Sequence, residues 1–109
     1  MLTLKGKREF QKVFECGKWI TPRGSHLRIR ALRTVGFRFG FVAPKKIGCA
    51  VVRNRLRRQF REILRLGMET HNWNGHFVVF LTKELIDYDF QEKRRMLLDL
   101  LAPFAGSSV

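Results

Sequence analysis

Acidic side chains are scarce where this sequence is most basic. Residues 1–65 hold 18 Lys and Arg but only three acids, Glu9, Glu15 and Glu62. A metal-dependent nuclease needs clustered carboxylates to hold its ions, and this half offers no such cluster. Cysteine is almost as scarce. Cys16 and Cys49 form no CxxC pair and no zinc spacing, which argues against a zinc ribbon and a disulfide-stapled scaffold. The expectation is a reduced, cytoplasmic chain in which both thiols are structural. No apolar run approaches the ~20 residues of a membrane helix. The N-terminal MLTLKGKREF lacks the apolar stretch of a signal peptide, so no membrane partner is expected. Three prolines and no repeat or low-complexity tract leave little room for linkers. Residues 1–109 read as a single domain with one modest core.

The second half holds the remaining acids, and two of them sit in DYDFQE. Asp87 and Asp89 could begin a calcium loop, but Glu92 stands where glycine is required and Leu98 where glutamate is. Asp89 and Glu92 instead fit the D-x-x-E signature that opens a helix. His26, His71 and His76 read as ordinary surface or turn residues rather than a general acid–base pair. Neither a catalytic residue nor a metal ligand is expected from this chain alone.

Positive charge and phenylalanine are abundant. The chain carries 22 Lys and Arg, a net charge of +13 and ten phenylalanines. Residues 1–65 have a net charge of +15 and residues 66–109 a net charge of −2. A charge that served solubility alone would be spread evenly, so this asymmetry points to a polyanionic partner, nucleic acid before membrane.

Periodicity supplies the elements. KREFQKVFECG reads as a first helix with Phe10, Val13 and Phe14 on one face and Gly17 as its stop. Thr21 to Ser25 is loop by composition, with a short strand at 17–20 before it. HLRIRALR and FRFGFVAPK each alternate, and the Val35-Gly36 turn between them predicts an antiparallel hairpin. One hairpin face is core, and the other carries Arg28, Arg30 and Arg38. A second helix is predicted from Cys49 or Ala50 to Leu66, capped by Gly67. HFVVFLTK is a continuous apolar run that suits a strand buried on both faces. A final helix carries Phe90, Leu97 and Leu101 on its inner stripe, with Lys93, Arg94 and Arg95 expected on the exposed side. The order α-β-β-β-α-β-α defines an α+β sandwich with a mixed, mainly antiparallel sheet of about four strands.

The second helix carries the sharpest signal. Arg53 to Arg65 contain six arginines and a single acid, Glu62. At 100° per residue, Leu56, Phe60, Ile63 and Leu64 share one sector. Asn54, Arg57, Arg58, Arg61 and Arg65 share another, with Arg53 at its border and Arg55 elsewhere. A solvated basic face normally carries opposite charges at i,i+4, and here they are nearly missing. Arginine offers a planar fork that suits phosphate oxygens and stacks on bases. A nucleic-acid surface follows. A membrane-surface helix would need its apolar face free for lipid, and this one must cover the sheet.

Lys45-Lys46-Ile47-Gly48-Cys49-Ala50-Val51-Val52-Arg53-Asn54-Arg55-Leu56-Arg57-Arg58 resembles the RNR signature of the bacterial ribonuclease P protein subunit. The flanks agree: Phe10, Val13 and Phe14 before Gly17, Arg38-x-Gly40 upstream, and Arg61-Glu62 downstream. The likeness spans about residues 5–104. It implies a left-handed βαβ crossover and a small partner for a catalytic RNA whose holoenzyme removes the 5′ leader of precursor tRNA. The magnesium-dependent hydrolysis would belong to the RNA, the isolated protein would be inactive, and no obligatory protein partner is implied. Carried over by position, Arg53, Asn54, Arg57, Arg58, Arg61 and Arg65 become contacts to the RNA subunit, joined by Lys45 and Lys46. Phe10 and Phe14 line a leader cleft opposite Arg28, Arg30 and Arg38. Two departures stand out. Pro44 replaces a serine common before the Lys pair, and Arg30 falls where some relatives place tyrosine. A basic ribosomal or nucleic-acid-architectural protein, with the same face and no enzymatic partner, is the competing class.

Overall fold

The computed structural model describes residues 3–4, 6–21 and 26–104. Of the loop expected at 21–25, only Thr21 lies within them. The elements run α1 (Gly6–Cys16), β1 (Lys18–Ile20), β2 (Arg28–Leu32), β3 (Phe37–Val42), α2 (Ala50–Met68), β4 (Gly75–Phe80) and α3 (Phe90–Leu101). Short 3-10 turns at Lys45–Ile47, Lys83–Asp87 and Ala102–Phe104 connect or extend them.

The four strands form one mixed sheet in the order β1-β2-β4-β3. β2 is antiparallel to both β1 and β4, whereas β3 and β4 are parallel and joined through α2. The predicted β2–β3 hairpin is therefore wrong: β4 lies between the two strands. The reason is burial. Phe77, Val78 and Val79 are all buried, so β4 needs cover on both faces and a neighbour on both edges, and only the centre of the sheet supplies these. The Gly36 turn that looked like a hairpin loop instead accepts a hydrogen bond from the Gly75 amide at the start of β4, at 2.8 Å.

The two sheet faces pack differently. Leu27, Ile29, Ala31, Phe37, Phe39, Phe77 and Val79 meet Leu56, Phe60, Ile63 and Leu64 of α2 and Leu97, Leu100 and Leu101 of α3 in the main core. On the opposite face α1 inserts Val13 against Leu4 and Val78, with Phe10, Leu32, Val42 and Phe80 around them. Phe80 belongs to the α1 face, because its neighbours Phe77 and Val79 alternate to the other side.

Two further expectations change. Gly67 is no cap: α2 continues to Met68, and Gly67 is buried where any Cβ would strike the Trp73 ring. Lys93 is not on the exposed face with Arg94 and Arg95. It is 3% exposed and donates to Gln59 Oε1 of α2 at 2.6 Å. Gly17 ends α1, and it also lets the chain pass close to the Ala31 carbonyl of β2. Asp89 does cap α3, accepting from the Glu92 amide at 2.8 Å, which answers an amide left unpaired by the first helical turn.

Candidate nucleic-acid interface

α2 is built as its periodicity requires. Its apolar sector is consumed by the core, which turns the basic sector outward. Arg58 and Arg61 are exposed, as are Lys45 and Lys46 on the turn before the helix. Arg57 is half-buried and donates to Asn54 Oδ1 at 2.9 Å, which orders both side chains along one helix face. Arg53 is half-buried, and its Nε has no hydrogen-bond partner among the described residues. Arg65 differs from the rest. It hydrogen-bonds Glu62 at 3.0 Å and lies 3.8 Å from Glu69. The Arg65 hydrogen bond holds the Glu62 carboxyl below its usual range, and the same bond raises Arg65. Its charge is partly answered within the helix, so it is the least available of the predicted contacts.

Sequence reasoning undervalued Arg55. It is exposed and lines a shallow depression with Val51, Asn54 and Arg58, so the basic surface is broader than a single stripe. The i,i+3 relation of Arg55 to Arg58 was the available signal. Cys49 stands at the N-terminus of α2, where the Val52 and Val51 amides hold its thiol below the ordinary value. Both cysteines are free and exposed, which revises their reading as structural residues.

The second candidate surface lies on the other side of the sheet, against α1. The register places Trp19, Arg30, Val78 and Gly40 in one row, Arg28, Phe80 and Val42 in the next, and Leu32, His76 and Arg38 in a third. All five predicted cleft residues gather here, but in different states. Phe10 is half-buried and lies over Gly40, where any Cβ would run into its ring. Phe14 is 39% exposed and meets Phe80 edge-on at 5.8 Å. Arg30 points at the end of α1, where it donates to the Val13 and Phe14 carbonyls. α1 has no basic residue in its own last turn, so Arg30 supplies the cation that a helix C-terminus favours. Arg38 reaches the Thr3 carbonyl at 3.4 Å and Glu9 at 4.0 Å. Arg28 is exposed, with its guanidinium 4.3 Å from the centre of the Trp19 ring.

Trp19 and Phe80 are the cleft aromatics that sequence reasoning missed. β1 has three residues, too few for alternation to declare a face. Phe80 sits in a run apolar at every position, so periodicity could not place it. His76 lies on this face too, half-buried, and that burial lowers its pKa. Among the described residues no three His, Cys, Asp or Glu side chains gather closely enough to hold a metal ion, and no helix is long and apolar enough to cross a membrane.

A family model described as Ribonuclease P matches residues 2–105. The chain belongs to the ribonuclease P protein family. It is similar to the ribonuclease P protein component of Thermus thermophilus, at 38% identity over 92 residues, 84% of this chain and 53% of that protein. It is similar as well to the ribonuclease P protein component of Fusobacterium nucleatum, at 36% over 84 residues, 77% of this chain and 76% of that one. The chain spans about half the length of the Thermus relatives it matches. Among solved structures, the RNase P protein from Thermotoga maritima superposes with a TM-score of 0.81 at 28% identity, covering 97% of this chain and 100% of the other. A Staphylococcus aureus RNase P protein shares the fold with a TM-score of 0.81 at 22% identity, covering 97% of this chain and 99% of that one. The α+β sandwich and its four-stranded mixed sheet are those of the family.

Proposed function

We propose that the chain is the RNA-binding subunit of a ribonuclease P ribonucleoprotein acting in the cytoplasm on precursor tRNA. α2 and the turn before it bind the catalytic RNA through Lys45, Lys46, Arg53, Asn54, Arg57, Arg58 and Arg61, with Arg65 contributing least. The surface between α1 and the sheet takes the single-stranded 5′ leader, using Phe14 and Arg28 directly. Phe10, Arg30 and Arg38 shape that surface from beneath. One observation carries this reading. α2 buries its whole apolar sector and leaves Arg55, Arg58 and Arg61 facing solvent, an arrangement that suits the phosphates of a folded RNA.

The protein contributes positioning and charge. Guanidinium groups along α2 neutralise crowded phosphates, which lowers the divalent ion needed to fold and load the RNA. Magnesium ions held by the RNA would supply the activated water for leader hydrolysis; among the described residues no His, Cys, Asp or Glu cluster gathers to hold a metal ion. The cleft adds affinity for precursor over mature tRNA, because only the precursor has a leader to place there.

The test combines protein, a ribonuclease P RNA and precursor tRNA at low magnesium. Leader removal only when both macromolecules are present supports the proposal. Cleavage by protein alone contradicts it and returns the chain to the independent nucleases. Tight duplex binding with no effect on RNA-catalysed cleavage contradicts it in favour of an architectural role.

A further inference from the structure

Three aromatic rings form a continuous wall across the α1 face of the sheet. Trp19 of β1 leans on Phe80 of β4 with centroids 4.7 Å apart, and Phe80 meets Phe14 of α1 at 5.8 Å. To reach Phe80 the indole must cross β2, so it lies over the sheet rather than off its edge. It is nevertheless 43% exposed.

Two guanidinium groups flank it, and they are held differently. Arg30 is 5.3 Å from the ring centre but is fixed by the carbonyls at the end of α1. Arg28 is closer, at 4.3 Å, and its guanidinium makes no hydrogen bond or ion pair among the described residues. The ring is its one partner there. A cation over an exposed ring is worth roughly two- to five-fold in an equilibrium constant. A nucleobase on the same ring is worth about ten-fold, and it frees the guanidinium for a phosphate.

We propose that Trp19 is the base-stacking platform of the leader cleft, and that Arg28 covers it in the free protein and moves to a leader phosphate when a base takes its place. This rests on the cleft reading above. The chemistry selects single-stranded RNA. A flat π-wall needs an unpaired base, whose faces a duplex hides. The cations beside it need an anionic backbone. The wall offers few fixed donors for base edges, so stacking there is tolerant of sequence.

The experiment reconstitutes the full chain with the RNA subunit and measures affinity for precursors with no leader, an eight-nucleotide leader, and an eight-nucleotide leader of abasic sugars. The proposal expects the intact leader to raise wild-type affinity and Trp19→Ala to lower that gain about ten-fold. Trp19→Phe should keep most of it. The abasic leader should bind wild type no better than the intact leader binds Trp19→Ala. Leaderless substrate should not distinguish the variants. Arg28→Ala should flatten the salt dependence of the leader gain by about one unit, and an unchanged slope overturns the exchange. A leader gain that survives Trp19→Ala but is lost in Phe14→Ala overturns the platform and leaves the cleft reading standing. No leader gain in wild type overturns both. Where Trp19→Ala fails to fold, Trp19→Phe with the abasic leader decides the question.

Discussion

Arg58 and Arg61 on α2 reach solvent, whereas Arg30 and Arg38 on the sheet turn onto the protein's own oxygen atoms. The residue type is the same and the surroundings are not. On a helix the cationic sector is fixed by the apolar sector opposite it, so burying one exposes the other. On a sheet, the face away from the main core is free only if nothing packs there. Here α1 packs there, and its terminal carbonyls and Glu9 attract the nearest guanidinium groups. A basic residue on the sheet therefore stays available to a ligand only where the adjoining helix leaves it unanswered, as it does Arg28.

Substitutions can break this distinction. The largest effect is expected at Phe14, exposed at the rim of the cleft: Phe14→Ala should weaken precursor binding by about 2 kcal/mol where a base stacks and leave mature tRNA binding nearly unchanged. A general loss of thermal stability with equal weakening for both substrates would return Phe14 to the core. Next is Arg30→Ala, which removes the cation at the end of α1. A partly exposed, charge-assisted hydrogen-bonded group of this kind is worth about 1.5 kcal/mol, read by chemical denaturation. Arg61→Ala should stay within about 0.5 kcal/mol of wild type in the same experiment. Equal losses would remove the contrast between anchored and solvent-facing arginines.

Asp89→Ala lies outside both surfaces. Loss of its bond to the Glu92 amide should cost about 1 kcal/mol with cleavage per folded molecule unchanged. Normal stability with lost cleavage would instead make DYDFQE a working site.

Lys93 gives the smallest effect and the extreme case of a cation turned inward. Burial holds its ammonium pKa below the ordinary value, with Asp89 partly opposing. Between the lowered folded value and the unfolded value of about 10.4, the unfolded chain binds more protons. Stability therefore gains from Lys93 as pH rises through that window, and the opposing cost is constant below it. Lys93→Met should flatten this part of the profile in thermal melts. An identical slope in both proteins would mean that the lysine is solvated.

The same contrast marks what the sequence made legible. α2 could be read almost residue by residue, because a 3.6-residue period declares both faces of one element. The Asp89 cap was equally local. Strand order was not, since pairing is decided by competition among all strands, and an apolar run such as β4 takes the centre from a turn-linked neighbour. Lys93 misled because its partner Gln59 lies on another helix. Gly67 misled because a glycine near a helix end looks like a cap until Trp73 is found against it. Arg28, Arg30, Arg38 and Phe14 were expected on one side of the sheet and do gather there, but Trp19 and Phe80 lie among them, and no local pattern disclosed the faces of those two.

The central claim is that α2 and the α1–sheet cleft contact different RNA. The most direct test is the salt dependence of binding to the ribonuclease P RNA alone, with no precursor present. Wild type, the Arg58→Ala/Arg61→Ala double variant and the Arg28→Ala/Arg38→Ala double variant are compared. Each lost phosphate contact lowers the slope of log K against log salt by about one unit. The account predicts a reduction of about two units for the α2 pair and none for the cleft pair. An equal reduction for both pairs would contradict it, by placing one continuous RNA surface across both sides of the sheet.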